Sequence, residues 1–265
     1  MPRRRWIRAG VAAVVLLIAV YLLCVFTLNV LWTHYEHHQP MQGAPKRTRT
    51  KQGIPGDPLN VGLIGTESEI VQAMLKSEWL PADPTTVRSS LKIAASVVFD
   101  RSYPTAPVSN LYLWGRQQDL AFERPAGRSA KERNHVRFWR SDELGRDGKP
   151  LWIGAATFDQ GVGVSHRTAA ITHHIAPDID AERDRLFADL AGAGGLVTIF
   201  QVTGVGPTIS GRNGGGDRYF TDGEINIGIL AEISAPHTAS PAVLPNGPTI
   251  RWKTRLWNSL RPWLR

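Results

Sequence analysis

The sequence predicts an α+β domain, with a mostly antiparallel sheet and a few packed helices, preceded by one transmembrane helix. Three observations predict it. An uncharged apolar run occupies residues 9–32. Short alternating or β-branched stretches, separated by Gly- and Pro-containing turns, recur through residues 60–231. Between them lie stretches with helical spacing of apolar residues, and helices mixed with hairpin-connected strands describe this class.

The apolar run extends from Ala9 to Trp32 and includes AGVAAVVLLIAVYLLCVFTL. As a helix it reaches about 36 Å, against a hydrocarbon core of about 30 Å. Lipid offers no partner to free backbone groups, so a helix is required. Trp6 and Trp32 bracket it as interfacial anchors. A cleaved signal peptide is the alternative. The run exceeds a usual signal core, and no A-x-A site follows it. Arg3, Arg4, Arg5 and Arg8 precede the span directly, whereas the next basic cluster, KRTRTK at 46–51, lies well beyond it. The basic flank, residues 1–8, is therefore expected in the cytoplasm and the soluble domain outside.

Charge separates the tails from the domain. The net charge is +8. Residues 1–51 hold eight Lys/Arg and one Glu, and residues 249–265 hold five Lys/Arg and no acid. The intervening part is mildly acidic. Cations confined to tails beside an apolar span suit membrane lipid as a partner and argue against nucleic acid. Cys24, the single cysteine, lies in the apolar run, which excludes a disulfide framework or thiolate zinc site in the domain.

Along the chain, residues 33–58 are polar with Pro and Gly and read as a stalk. His34, His37 and His38 there could bind a metal or simply be solvated. The soluble domain is expected over residues 59–234. NVGLIG (60–65) is a strand. Thr66 with Glu69 forms a capping box opening a helix over 67–79, ended by Pro81 and Pro84. A second helix is expected over 85–98, then a Pro-broken loop over 103–109. NLYLWG (110–115) and DLAFER (119–124) read as a hairpin, and NHVRFWR (134–140) alternates as a strand. PLWIGAATF (150–158) and AAITHHIA (169–176) read as strands around a Gly-rich turn at 161–163. Asp178 and Asp180 cap a helix with Leu186, Phe187 and Leu190 inward, stopped by Gly192 and Gly194. LVTIFQVTGV (196–205) is a strand, and residues 218–231 read as a hairpin about Asp222-Gly223.

A Pro-rich connector, 235–249, leads to a basic amphipathic helix, 250–265. Trp252, Leu256, Trp257, Leu260, Trp263 and Leu264 fall within one arc, with Arg251, Arg255, Arg261 and Arg265 outside it. Lys253 can snorkel. This composition suits a helix lying on lipid, with Trp252, Trp257 and Trp263 in the headgroup layer. Docking on the domain is the alternative.

The stretches NHVRFWR, PLWIGAATFDQGVG, AITHHIAPDIDAERD and RNGGGDRYFTDGEI, with PVSNLYLWGRQQDLAFER upstream, carry a family resemblance. From about Asn60 to Ala231 the chain resembles the LssY-like C-terminal domain. The resemblance implies a bacterial cell-envelope protein and no particular reaction. In that family the domain often follows membrane modules, including one resembling lipid phosphatases. The motifs KxxxxxxRP, PSGH and SRxxxxxHxxxD are absent here, so phosphatase activity does not carry over.

Strand parity sorts the polar residues. His135, Arg137 and Trp139 share one face, with Val136 and Phe138 on the other. His173 lies with Ile171 and Ile175 and reads as a packed histidine. His174 lies with Thr172 and reads as the better ligand or acid/base. His135, Arg137, Asp159 and His174 are the candidate catalytic set, with His135, His174 and Asp159 as candidate metal ligands. Asp159, Asp178, Asp180, Glu182 and Asp184 cluster in sequence and, with the histidines and arginines, could make a metal site or a general acid/base pair; the alternative is that Asp178 and Asp180 complement a helix N-terminus while Arg183 and Arg185 make local ion pairs. GRNGGGD (211–217) could present N–H groups to an anion, or serve as a hairpin loop; it lacks the G-K-[ST] of a phosphate loop. Two functions follow as expectations. One is a membrane-anchored binding or assembly module at the cell envelope. The other is a membrane-proximal hydrolase using the His/Asp/Arg set. Convergence of those four residues in one cavity would favour the second.

Overall fold

The computed structural model describes residues 2–33, 44–82, 110–126, 132–145, 147–165, 171–204, 210–234 and 239–264. The helix expected over 85–98, the loop at 103–109 and His34, His37 and His38 lie outside these residues. Parts of the stalk and connector do so too.

Helix α1 (Pro2–Thr33) contains one stretch, Trp6–Thr27, long and apolar enough to cross a membrane or to act as a signal sequence. The side chains of that stretch, Trp6–Thr27, are exposed. Thr27 Oγ1 donates to the Leu23 carbonyl at 2.7 Å, so its hydroxyl is satisfied without water.

Strands β1 (Arg47–Arg49) and β2 (Pro55–Pro58) pair antiparallel, so the second half of the expected stalk is part of the folded domain. Thr48 is buried and donates to the Asp57 carbonyl, and Gly56 lies against Leu111. Pairing satisfies a polar backbone that composition alone assigned to loop.

Strand β3 (Val61–Ile64) is buried on both faces. Helix α2 (Glu67–Lys76) opens on the expected capping box: Glu69 N donates to Thr66 Oγ1 at 3.2 Å, and Thr66 N donates to Glu69 Oε2 at 2.8 Å. It ends earlier than expected, because Glu78 turns the chain at φ 63°. Pro81 then sits in edge strand β4 (Leu80–Pro81), where its missing N–H does no harm.

The expected pairing of 110–115 with 119–124 does not occur. Trp114 and Gly115 both take positive φ and close a small hairpin of β5 (Tyr112–Leu113) and β6 (Arg116–Gln117). Strand β7 (Leu120–Pro125) pairs instead with β4 and β8 (Arg133–Leu144). Strand β9 (Pro150–Val164) runs straight through residues 161–163. β10 (Ile171–Ile175) pairs back along it, so residues 161–163 are strand and not the expected turn. Glycine at 163 serves a close approach, described below.

Helix α3 (Ile179–Gly192) is capped by Asp178, which accepts from Ala181 N. Asp180 does not cap it; it is fully buried and accepts from Thr221 Oγ1 and Asp222 N, both at 2.7 Å. Strand β11 (Leu196–Thr203) follows. The hairpin expected about Asp222-Gly223 is absent. β12 (Ser210–Arg212) and β13 (Arg218–Phe220) form their own ribbon, and β14 (Glu224–Leu230) joins the main sheet. The bonds from Asp180 hold this turn to α3 and carry the chain from ribbon to sheet.

The main sheet has nine strands, with β15 (Ala242–Val243) at one edge, β4 at the other, and β14, β3 and β9 central. β14–β3 and β11–β15 are parallel and the other pairs antiparallel, which makes the expected α+β class. One face packs Val136, Phe138 and Trp152 against Ile70 and Met74 of α2 and Leu186 and Leu190 of α3. The other packs Trp139, Ile153 and Ile227 against Leu111 and Leu113, beside the four-stranded sheet of β1, β2, β5 and β6.

Helix α4 (Pro248–Leu260), extended by a 3₁₀ turn at Arg261–Trp263, is docked on the domain through one edge. Ile250, Lys253 and Trp257 are buried. Trp257, expected in the headgroup layer, is only 3 % exposed, with its ring centroid 6.2 Å from that of Phe220. Lys253, expected to snorkel, is buried in an ion pair with Glu224. Arg261, expected on the solvent side, binds the Asp178 carboxylate through Nε at 2.9 and 3.0 Å. Spacings of three, four and seven place Ile250, Lys253 and Trp257 on one stripe.

Candidate polar binding site

Strands β8, β9 and β10 lie side by side in the order β8–β9–β10 and carry polar residues on one face. Register sets Arg133 opposite Asp159, Asp159 opposite Ile175, and His135 opposite Thr157. This face opens on a cavity of about 540 Å³ that Arg137, Thr157, Asp159, His173 and Ile175 line from the sheet. The β1–β2 turn adds Lys51, strand β2 adds Asp57, and the β12–β13 loop adds Asn213.

Charged side chains at the cavity wall and just behind it pair with one another. Arg133 donates from Nη1 to Glu123 Oε2 at 2.9 Å and from Nε to Asp159 Oδ2 at 3.3 Å. Its Nη2 lies 3.1 Å from His173 Nε2. Arg137 Nη1 lies 3.5 Å from Asp57 Oδ2, and His173 Nδ1 lies 3.7 Å from Asp159 Oδ2. Burial pushes the Asp57 carboxyl up, against the opposing pull of Arg137. Burial likewise raises Glu123, opposed by Arg133. His173 is held below the ordinary imidazole range, first by burial and then by the positive field of Arg133 and Arg137, with Asp159 opposing. A neutral imidazole beside a carboxylate can accept a proton or hold a ligand hydroxyl.

The expected set divides. Arg137 and Asp159 meet in the cavity. His135 is fully buried, and neither ring nitrogen has a hydrogen-bond partner among the described residues. Burial, with Arg137 and Arg133 nearby, holds it well below the ordinary imidazole range and therefore neutral. His174 lies outside the cavity lining and pairs with Asp217, Nδ1 to Oδ1 at 2.6 Å. Its place is taken by His173, expected to be packed; the face it shares with Ile175 opens on the cavity instead of the core. Among the described residues, no group of three or more His, Cys, Asp or Glu side chains is arranged to hold a metal ion.

Arg133, Glu123 and Asp57 were not singled out from the sequence. Parity would have placed Arg133 with His135 and Arg137. Nothing local marks Asp57, which reaches the site only through the β1–β2 hairpin. The loop 211–217 is a hairpin turn: Asn213 Oδ1 accepts from Asp217 N at 2.9 Å, and Arg212 donates to the Gly216 carbonyl.

The LssY C-terminus family profile matches residues 41–225, which span both the β1–β2 hairpin and the cavity strands. The chain belongs to the LssY C-terminus family. No curated protein and no solved structure matches it. The LssY C-terminus match begins close to the first described residues of the domain, in accord with β1 and β2 being integral to it.

Proposed function

We propose that this chain is a membrane-tethered binding module of the cell envelope, with a small polar ligand held in the Arg137 cavity. The observation that carries the reading is the cavity itself: a concave, partly apolar site where Arg137, Asp159, Asp57 and His173 present both donors and acceptors. Such a combination of shape and few convergent polar groups is the usual form of a ligand site. The tether is α1. Arg3, Arg4, Arg5 and Arg8 hold its front edge in the cytoplasm, which puts the domain outside. The partners in this reading are lipid, through the tether, and the cavity ligand; nucleic acid is not among them.

The test is thermal unfolding of the detergent-solubilised full chain against orthophosphate, glycerol phosphate, hexoses and amino acids, in wild type and Arg137→Gln. A probe that raises the wild-type midpoint and loses most of its effect in the variant supports the reading. Equal shifts in both would place the ligand elsewhere.

The second reading is a membrane-proximal hydrolase, favoured by His173 and Asp159 at the cavity wall. In it a neutral His173 takes the proton of an attacking water, and Asp159 steadies the imidazolium. Cleavage of chromogenic phosphate or carboxylate esters that persists in His173→Gln would rule out that role.

A further inference from the structure

The stripe Ile250–Lys253–Trp257 uses one edge of α4. The rest of the helix presents a second apolar surface: Trp252 is 55 % exposed and Trp263 86 %, with Leu256, Leu260 and Leu264 also exposed. That surface is not left over from weak docking. Lys253–Glu224, Arg261–Asp178 and the Trp257–Phe220 contact hold the opposite edge firmly to the domain. Nor is the surface remote from the tether, because α4 packs beside α1. The residues 249–265 contain no acid, and Arg251 and Arg255 flank the apolar side in the open.

We infer that α4 is a two-faced clamp, its Ile250–Lys253–Trp257 edge gripping the domain while Trp252, Leu256, Leu260, Trp263 and Leu264 enter the headgroup layer of the bilayer that α1 crosses. This inference rests on α1 being a membrane span. Three observations choose lipid as the occupant. The surface adjoins an exposed apolar helix of membrane-spanning length. It combines indole with aliphatic side chains, the composition that settles at the water–lipid boundary. Its charges are all cationic, which complements anionic headgroups. A clamp of this kind removes the free rotation a single tether would leave. It fixes the domain, and with it the cavity, at one height and attitude over the membrane.

The experiment uses the full chain with Cys24→Ser and one new cysteine carrying an environment-sensitive fluorophore. Trp263→Cys reports the clamp, Leu17→Cys the span and Glu143→Cys an exposed position where β8 meets the start of β9. Each is reconstituted into phosphatidylcholine–phosphatidylglycerol vesicles containing nitroxide-labelled lipid. The expected result is blue-shifted emission at 17 and 263, losing more than half its intensity to the nitroxide, with no change at 143. Quenching at 17 without quenching at 263 overturns the clamp and leaves the tether standing. Quenching at neither overturns both. Efficient oxidative cross-linking of the unlabelled Trp263→Cys chain to a second copy, with no lipid quenching of the labelled one, makes that copy the occupant and likewise overturns the clamp.

Discussion

His174 and Asp217 are joined at 2.6 Å, and the Nε2–Cδ2 edge of the imidazole closes on Gly163 of the neighbouring strand. A Cβ placed on Gly163 would stand 2.4 Å from His174 Nε2, inside any normal contact. The Asp217 carboxylate also accepts from Ile175 N. One carboxylate therefore ties the β12–β13 loop to β10 at the bulge that follows His174.

Gly163→Ala is expected to push the imidazole aside and lengthen the His174–Asp217 bond. Overpacking of this kind costs about 1–3 kcal/mol. Urea unfolding would read the loss, and imidazole ¹⁵N resonances would read the displaced ring. Unaltered His174 resonances would contradict the close approach.

Arg133→Met leaves Glu123 and Asp159 buried without their shared guanidinium. Breaking a buried pair from one side costs about 3–5 kcal/mol. Adding Glu123→Gln to Arg133→Met should recover part of that loss, because one of the stranded charges is then gone. Denaturant midpoints of the two single variants and the double variant check the coupling.

Glu182 is buried, its Oε1 has no hydrogen-bond partner among the described residues, and burial raises its carboxyl from an ordinary 4.5 to about 8. The folded chain thus holds a proton that the unfolded chain releases. The stability this gives is complete below the ordinary carboxyl value and is lost as pH rises through the folded value. Glu182→Gln stays neutral throughout. It should match wild type in acid, gain on it between those two values, and keep a constant advantage of a few kcal/mol above them. Urea unfolding across that range would show a flat difference if the carboxyl were ionised in the fold.

Lys253→Met removes the cation that faces Glu224, whose carboxyl burial already raises to about 7 against the pull of Lys253. The variant should loosen α4 chiefly in alkaline solution, where the stranded carboxylate must ionise, and much less in mild acid. Hydrogen exchange of residues 248–260, compared with wild type at the same pH, measures this directly, with the variant's excess rate expected to be large in alkali and small in mild acid.

The candidate site was legible in part because β-strand parity is local. Arg137 was placed correctly beside His135 on β8, but parity says nothing about which face is covered. The face that His173 shares with Ile175 reads as packed, yet it lines the cavity, which His174 does not. Only the packing of β1–β2 and β5 over that face turns it into a cavity wall. Asp57 comes to it from β2, far from β8 in sequence, and Glu123 reaches Arg133 from the neighbouring strand β7; spacing has no means of showing either.

The sequence by itself determined the apolar helix near the amino terminus, the Thr66–Glu69 capping box, the amphipathic face of α3 and the α+β class. Each depends on hydrophobic periodicity or on side chains within a few residues of one another. Tertiary structure decided the rest. Strand partners were chosen by burial across the sheet, so β7 paired with β4 and β8, and β14 with β11 and β3, instead of with the segments just before them. Asp180, Arg183, Asp222, Glu224 and Lys253 became buried partners because an ion leaves water only when a distant ion of opposite sign arrives with it.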